Sequence, residues 1–145
     1  MEATVVGRNR YILRTYVKIG CVADRESRIM STKEVVDHHL SSFGAGDLEG
    51  VLSDYASDAV LFMPDGPKKG AAEIKRVFEE LLAEFRKPGA SFAVQLLSVE
   101  GHYAYLLWSA ETADNRYELA TDTFVIQDGK IVAQSFAAKT TARNQ

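Results

Sequence analysis

Cysteine is nearly absent from this sequence, and long apolar runs and an excess of basic charge are absent altogether. The single cysteine in 145 residues excludes an internal disulfide framework and gives no zinc pattern, which favours a reducing, cytoplasmic location. No apolar stretch approaches the roughly 18 residues of a membrane span, and we expect neither a membrane anchor nor a secretory signal. The formal charge of −3 argues against nucleic acid as the default partner.

The chain has the length and the apolar content of one domain. Its 145 residues, 46% of them hydrophobic, can bury a core of ordinary size without cross-links. Residues 1–29 are richer in basic than in acidic side chains, whereas the remainder is acidic. We therefore predict an N-terminal extension over residues 1–29 and a folded domain over residues 30–145. A targeting peptide is the alternative for the extension, and its acidic residues and few serines disfavour it.

Three helices are predicted in the first part of the domain. Ser31 and Glu34 form a capping-box pattern ahead of apolar residues at helical spacing, and Gly44 and Gly46 end that helix. Asp47 begins a short second helix. The third helix is the clearest, because an apolar stripe repeats along it. The residues of that stripe are Ile74, Val77, Phe78, Leu81, Leu82 and Phe85.

The remaining segments are predicted to be strands joined by tight turns. Ala59–Met63 is a short apolar strand before the turn-forming Pro64–Pro67, and Asp128–Gly129 is typical of a hairpin turn. Helices followed by an antiparallel meander indicate an α+β fold, with the helices on one face of a bent sheet around a pocket for a small apolar molecule. The four strands of the meander are Ser91–Val99, Tyr103–Thr112, Arg116–Gln127 and Lys130–Lys139.

Two polar residues occupy positions where apolar ones are expected. His39 lies on the apolar stripe of the first helix, and Asp122 shares a strand face with Phe124 and Ile126. A buried carboxylate needs a partner or a raised pKa, and such groups serve in proton transfer. If the two residues face each other across one cavity, they are candidate catalytic residues. Two simpler alternatives stay open: His39 as a satisfied core or rim residue, and Asp122 as an exposed or turn-bonding one.

The strand Tyr103–Thr112 is apolar on both faces. One face carries Tyr103, Tyr105 and Leu107, and the other carries Trp108 among small and apolar residues. A strand with one solvated face should alternate between apolar and polar residues. One face is therefore expected to line the interior and the other to be covered. A second copy would cover it in a homodimer through an outer sheet face that includes Trp108; the alternative is that the N-terminal extension covers Trp108.

Four short strings occur in a characteristic order along the chain. They are Phe43–Gly50, Tyr55–Ala59, Pro64 with Lys69–Gly70, and Asp122–Phe124 with Asp128–Val132. Together they resemble the NTF2-like superfamily, in particular its SnoaL-like polyketide cyclases and ketosteroid isomerases, over about residues 32–141. The resemblance implies an α+β NTF2-like (cystatin-like) cone, with three N-terminal helices on a strongly curved, mostly antiparallel mixed sheet that encloses a pocket. Members of this fold include isomerases, cyclases, dehydratases, epoxide hydrolases and binding proteins.

The resemblance also implies candidate site residues, position by position. His39 matches the first-helix tyrosine that donates to the substrate oxygen in the steroid isomerases, and Asp122 matches their second, protonated aspartate. Met63 stands where those enzymes have their general base, which argues against steroid isomerisation. The remaining matched positions imply a mostly apolar and aromatic pocket lining. Those positions are Tyr55, Leu61, Met63, Val77, Leu81, Tyr103, Tyr105, Leu107, Gln134 and Phe136.

Three functions are open on the sequence alone. The first is an isomerase-, cyclase- or lyase-like enzyme, in which Asp122 moves a proton next to a carbonyl and His39 orients it or donates to the oxyanion. No metal or organic cofactor is expected, because the sequence has no ligand cluster or phosphate loop. The second is a non-catalytic protein that binds a small hydrophobic molecule, which Met63 favours. The third is a structural dimerisation module.

Overall fold

The computed structural model describes residues 28–143, and the extension predicted over residues 1–29 lies almost entirely outside them. The described part contains three helices, α1 (Thr32–Gly44), α2 (Leu48–Ser53) and α3 (Ala71–Phe85). Three helices on a mixed sheet confirm the predicted α+β class. The six strands of the described part are β1 (Tyr55–Met63), β2 (Gly66–Lys69), β3 (Ser91–Glu100), β4 (Tyr103–Glu111), β5 (Asn115–Gln127) and β6 (Lys130–Ala142).

Local signals in the sequence determine where the first two helices begin. The Ser31 hydroxyl accepts a hydrogen bond from the Glu34 N–H at 3.2 Å, and the Ser31 N–H donates to the Glu34 carboxylate at 2.8 Å. This is the predicted capping box, which satisfies backbone donors that the helix itself leaves unpaired. The Asp47 carboxylate accepts from the Gly50 N–H at 2.9 Å and begins α2 in the same way.

The strands form one sheet in the order β2-β1-β6-β5-β4-β3. The β1–β6 pairing is parallel, and every other neighbouring pair is antiparallel. Asp128 and Gly129 join β5 to β6 with φ values of 51° and 73°, as the predicted hairpin turn requires. Strand β2 was not predicted: the chain turns at Pro64 and Asp65, and Gly66–Lys69 pairs back onto β1.

The helices pack on one face of the sheet, which we call the inner face, and two apolar clusters form there. The first joins α1 to β4, β5 and β6, with Val35, Val36 and Phe124 fully or almost fully buried. The second cluster joins α2 and α3 to β1. Its members are Val51, Ala59, Leu61, Ile74 and Phe78.

No helix among residues 28–143 is long and apolar enough to cross a membrane.

On β4, the residues that face the helices are those that the sequence predicted on the outer face of the sheet. Tyr103 and Tyr105 are 59% and 39% exposed, and Leu107 lies beside them on the outer face of the sheet. The prediction that these three residues line the pocket is therefore wrong. The inner face of β4 consists of four buried residues. They are Ala104, Leu106, Trp108 and Ala110.

A β-bulge on β5 accounts for this reversal. Trp108 pairs with Ala120, and Ala110 pairs with Tyr117. On β4, one residue lies between Trp108 and Ala110, whereas on β5 two residues lie between Ala120 and Tyr117. An extra residue on one strand moves the following pairs by one position, and a shift of one position exchanges the two faces. The bulge therefore decides which face of β4 lies on the same side as Asp122.

Candidate functional site

A cavity of about 540 Å³ lies between the helices and the inner face of the sheet. Residues of α1, α3 and all six described strands border it, and exposed charged side chains such as Arg76 and Glu80 do so as well. A volume of this order suits a small ring-containing molecule. The wall is mainly apolar and aromatic. Its large side chains include Phe43, Phe78, Phe92, Trp108, Phe124 and Phe136.

Asp122 is the buried carboxyl group of the cavity wall, on the inner face of β5. Its Oδ2 accepts a hydrogen bond from Trp108 Nε1 at 2.6 Å, and its Oδ1 accepts one from Gln134 Nε2 at 2.8 Å. Burial raises the pKa of this carboxyl above its ordinary value, and the two donors and the charge of a protonated His39 oppose that rise. Asp122 therefore holds its proton at a higher pH than a surface aspartate does, as an acid/base group requires.

Tyr55 and Gln134 extend this hydrogen-bond network away from Asp122. The Tyr55 hydroxyl donates to Gln134 Oε1, which leaves the Gln134 amide nitrogen to face Asp122. Burial raises the pKa of Tyr55 well above its ordinary value, and the charges of Asp122 and Asp54 add to the effect. Tyr55 thus remains a donor at neutral pH, and it fixes the orientation of the side chain that supports Asp122.

His39 lies in the floor of the cavity, where three aromatic rings hold its plane. Its ring meets those of Tyr55, Phe78 and Phe124 edge to face, with a centroid distance of 5.6 Å in each case. Its Nδ1 is 3.7 Å from Asp54 Oδ2. His39 and Asp122 border the same cavity, but each has its own polar neighbours: Asp54 for the histidine, and the tryptophan and glutamine for the aspartate.

The structure places most of the predicted site residues around this cavity. Tyr55 does not border it and reaches Gln134 from behind, whereas Tyr103, Tyr105 and Leu107 lie on the opposite face of the sheet. The part that any of them takes in binding or catalysis stays a prediction. The predicted residues that do border the cavity are His39, Leu61, Met63, Val77, Leu81, Asp122, Gln134 and Phe136.

Trp108 is the main cavity residue that the sequence analysis missed. It is 4% exposed, donates to Asp122, and packs against Phe92 with a centroid distance of 4.9 Å. The prediction that Trp108 belongs to an outer dimer interface is therefore wrong. A signal was present in the sequence: Ala104 and Ala110 share its face, and small residues allow helices to approach a sheet closely. Asp54 was missed because it is simply the residue at the end of a short helix.

Among residues 28–143, no group of three or more histidine, cysteine, aspartate and glutamate side chains could hold a metal ion. The polar groups of the described site are the carboxyl, imidazole, phenol and amide groups given above. Of these, Asp122 and His39 are the buried carboxyl and imidazole groups that border the cavity.

Comparison with known proteins identifies the family. The model of the SnoaL-like domain matches residues 36–134, from α1 into β6. No curated protein matches the sequence significantly. The match covers most of α1, the other two helices, the first five strands and the part of β6 that carries Gln134, so it includes every residue of the Asp122 network.

Solved structures share the fold at low sequence identity. An NTF2-like protein of unknown function from Mesorhizobium loti is 23% identical, over 74% of this chain and 90% of that chain, with a TM-score of 0.64. Another, from Cytophaga hutchinsonii, is 12% identical over 78% and 94%, with a TM-score of 0.65. The epoxide hydrolase/cyclase-like enzyme SalBIII, which acts in pyran ring formation in the polyether salinomycin, is 16% identical over 77% and 95%, with a TM-score of 0.65.

Proposed function

This chain belongs to the SnoaL-like domain family, and from that premise we propose that it is a cofactor-independent isomerase-, cyclase- or lyase-like enzyme that transfers protons on a hydrophobic, carbonyl-bearing molecule. The observation that carries the proposal is Asp122. Its carboxyl group is buried at the wall of an apolar cavity, its pKa is raised, and two neutral N–H groups orient it. The cyclase-like enzyme SalBIII has the same fold, so this fold can carry an enzymatic site.

In the proposed reaction, Asp122 takes a proton from the carbon next to the substrate carbonyl. The Asp122 carboxylate removes this proton, the carbonyl becomes an enolate, and the protonated carboxyl returns the proton to carbon, so no atom is gained or lost. The hydrogen bonds from Trp108 and Gln134 stabilise the carboxylate, and the apolar wall makes its protonation favourable. A carboxyl group whose pKa is raised in this way can both accept and return a proton.

His39 has a supporting part in this mechanism. It is the buried imidazole of the cavity wall, and three aromatic neighbours hold its ring. An N–H group of the ring can donate to the oxygen on which negative charge develops as the enolate forms. The apolar surroundings strengthen that interaction, because little water competes for it.

The test is exchange of carbon-bound hydrogen. 2-Tetralone is a flat, hydrophobic ketone with acidic hydrogens beside its carbonyl, and its exchange in D₂O is followed by NMR. We expect the protein to accelerate this exchange, and Asp122→Asn to lower the acceleration by at least about 100-fold. Thr123→Val is the matched control, because Thr123 is the next residue on β5 and lies on the outer face. Equal rates for Asp122→Asn and the unchanged protein would contradict the proposal.

A non-catalytic binding protein is the second candidate, and Met63 favours it. Met63 borders the cavity at the position where the steroid isomerases have an acid/base residue, and a thioether cannot transfer a proton. Trp108 is the only tryptophan of the chain and lies in the cavity wall, so its fluorescence reports binding there. Saturable quenching by hydrophobic ketones without any accelerated exchange would support binding over catalysis.

We further propose that two copies associate through the outer face of the sheet. Large apolar side chains are exposed there, among them Phe62, Leu96 and Tyr103, and most of their neighbours on that face are small or carry hydroxyl groups. Charged residues on this face lie toward its ends, where Arg116 pairs with Glu111 and Lys139 with Glu118. The uncharged centre can meet a second copy of itself without repulsion, as a two-fold dimer requires. This proposal also supplies the third candidate function, a dimerisation module.

Sedimentation tests the dimer. The double variant Leu96→Lys with Tyr103→Lys places two charges on the outer face, and we expect it to be monomeric at a concentration at which the unchanged protein is dimeric. Val94→Lys is the matched control, because Val94 is similarly exposed on the same edge strand but pairs with Trp108 on the inner side. A monomeric unchanged protein at micromolar concentration would overturn the proposal.

A further inference from the structure

Two buried polar atoms have no hydrogen-bond partner within residues 28–143: Nδ1 of His39 and Oδ2 of Asp54. They are 3.7 Å apart, and both side chains are 5% exposed. Buried polar groups are almost always paired, because removing them from water without a replacement bond is costly. The two unpaired atoms therefore belong together, and the arrangement calls for a functional explanation.

The second oxygen of Asp54 has a different partner. Asp54 Oδ1 is 2.7 Å from Nδ1 of His38, whose side chain is 44% exposed. Successive residues of a helix project about 100° apart, so His38 and His39 of α1 approach the carboxyl group from two sides. Asp54 follows directly after α2 and lies between both rings. One buried carboxyl group thus contacts an imidazole near the solvent and an imidazole at the cavity.

The position of the proton on His39 follows from this contact. A carboxylate only accepts hydrogen bonds, so a ring whose Nδ1 carried a lone pair would oppose two electron-rich atoms at 3.7 Å. A ring with hydrogen on Nδ1 instead brings an N–H group next to the carboxylate oxygen, a favourable contact although it is longer than a hydrogen bond. Tyr55 at the start of β1 and Asp122 on β5 are the other titratable neighbours of His39, and neither forms a hydrogen bond with its Nδ1.

We propose that Asp54 is a positioning residue that holds neutral His39 in the tautomer protonated on Nδ1, and thereby leaves Nε2 as the nitrogen that takes up the second ring proton. His38 contacts the other oxygen of Asp54 near the solvent and has no part in this role. When the His39 ring is protonated, its Nε2–H donates to the substrate oxygen on which negative charge develops, and the Asp54 carboxylate balances the charge of the imidazolium inside the protein. The use of this arrangement in turnover rests on the proposed function, whereas the tautomer does not.

Nitrogen NMR tests the tautomer directly. Spectra that correlate the ring nitrogens with the carbon-bound ring hydrogens show which nitrogen carries hydrogen, and His39→Gln assigns the signals. In the unchanged protein we expect neutral His39 to carry its hydrogen on Nδ1. Asp54→Asn keeps the volume and replaces one oxygen with an N–H donor, so we expect the Nε2–H form to appear. A neutral His39 with hydrogen on Nε2 in the unchanged protein would overturn the proposal, even if Asp54→Asn does not fold.

His38→Gln is the matched control. It removes the solvent-side ring, leaves the contact between His39 and Asp54, and should leave the tautomer unchanged. In the exchange assay with 2-tetralone, Asp54→Asn should lower the rate at saturating ketone by at least about tenfold with little change in KM, and His38→Gln by less than about twofold. Loss of the Nδ1–H form in His38→Gln alone, or an unaltered tautomer in folded Asp54→Asn, would contradict the inference.

The two proposals fail in distinguishable ways. If the unchanged protein shows the Nδ1–H form and Asp54→Asn loses it, the positioning role of Asp54 stands, whether or not the protein exchanges hydrogen on any ketone. If exchange is accelerated but depends on Asp122 and not on Asp54, the proposed function stands and the use of the Asp54–His39 pair in turnover is overturned.

Discussion

The two buried carboxyl groups next to the cavity, Asp122 and Asp54, are equally hidden from solvent but differently surrounded. Asp122 accepts one hydrogen bond on each oxygen, and both donors are neutral groups, an indole and an amide. Asp54 faces two imidazoles, which can carry positive charge, and one of its oxygens lacks a hydrogen bond. Similar burial therefore gives two different electrostatic environments beside one cavity.

The difference separates two tasks that a buried carboxyl group can perform. Neutral donors stabilise a carboxylate without a full countercharge, so Asp122 stays able to change its protonation state. Neighbours that can become cationic suit a carboxyl group that balances charge, which is the part we give to Asp54. The cavity wall thus contains one carboxyl group placed to exchange a proton, and a second carboxyl group behind the wall is placed to balance the charge of His39.

The largest effect is expected on the Asp122 side, from Gln134→Leu. This change removes the donor to Asp122 Oδ1 and the acceptor of the Tyr55 hydroxyl, and leaves two buried polar groups unpaired. We expect the free energy of unfolding to fall by about 3 kcal/mol, measured by denaturant titration at pH 7. Tyr55→Phe removes only the second bond and should cost about 1 kcal/mol. Equal costs for the two variants would show that the bond to Asp122 adds nothing.

The pH dependence of stability sharpens the comparison next. Burial raises the pKa of Asp122 in the folded protein, so the folded state keeps a proton that the unfolded chain has released. The stabilising contribution of Asp122 is fully present below its pKa in the unfolded chain, about 3.9. This contribution is lost as the pH rises through the raised pKa of Asp122 in the folded protein. The loss amounts to about 1.4 kcal/mol for each pH unit that separates the folded pKa from the unfolded one. Unfolding free energies from pH 3 to 8, compared with those of Asp122→Asn, measure this loss.

An exposed carboxyl group provides the control of opposite sign. The hydrogen bond from Lys68 lowers the pKa of Asp65. Its stabilising contribution is therefore present above the unfolded pKa and is lost as the pH falls. The difference between the unchanged protein and Asp65→Asn should slope in the direction opposite to that for Asp122→Asn. Slopes of the same sign would contradict the assignment of Asp122.

A smaller effect on stability is expected from Asp54→Asn. The amide keeps the size of the side chain and can still accept a hydrogen bond from His38, while its N–H faces His39. We expect a loss of about 1 kcal/mol in the free energy of unfolding, because a charged acceptor becomes a neutral one. Thermal unfolding followed by circular dichroism measures it. A loss as large as that of Gln134→Leu would place Asp54 among the structural determinants of the fold.

The smallest effect is expected from His38→Gln. Nearly half of the His38 side chain is exposed, and an ion pair of this kind contributes at most about 0.5 kcal/mol once solvent screening is included. The same thermal measurement should show almost no change. A substantial loss would mean that Asp54 depends on its solvent-side partner for its place in the fold, and the difference between the two carboxyl groups would then involve His38 as well.

The sequence was sufficient where structure depends on neighbours along the chain. The capping box at Ser31, the start of α2 at Asp47 and the turn at Asp128–Gly129 all formed as predicted. Each is decided by residues within three or four positions of one another. The inward orientation of His39 and Asp122 also followed from periodicity, because each shares its face with apolar residues.

The sequence was insufficient where one local irregularity determines distant pairs. An unbroken ladder from the turn after β4 would place Asp122 opposite Tyr105, whereas the bulge on β5 places it opposite Leu106. No residue type marks a bulge of this kind, so the face of the strand could not be assigned correctly. The pairing of His39 with Asp54 depends on how α1 packs on α2, which periodicity within one helix does not report.

The parallel pairing of β1 with β6 also has a consequence for how the chain acquires its structure. The hydrogen bond from Tyr55 to Gln134 joins residues 79 positions apart. Strands β2, β3, β4 and β5 all lie between these two residues in the sequence. Contacts of such long sequence separation slow folding, because a large loop must close before they form. During synthesis, the helices and the first five strands of the described part leave the ribosome before the strand that supplies Gln134. The nascent protein must therefore keep an open, apolar half-cavity from aggregating until β6 has been synthesised.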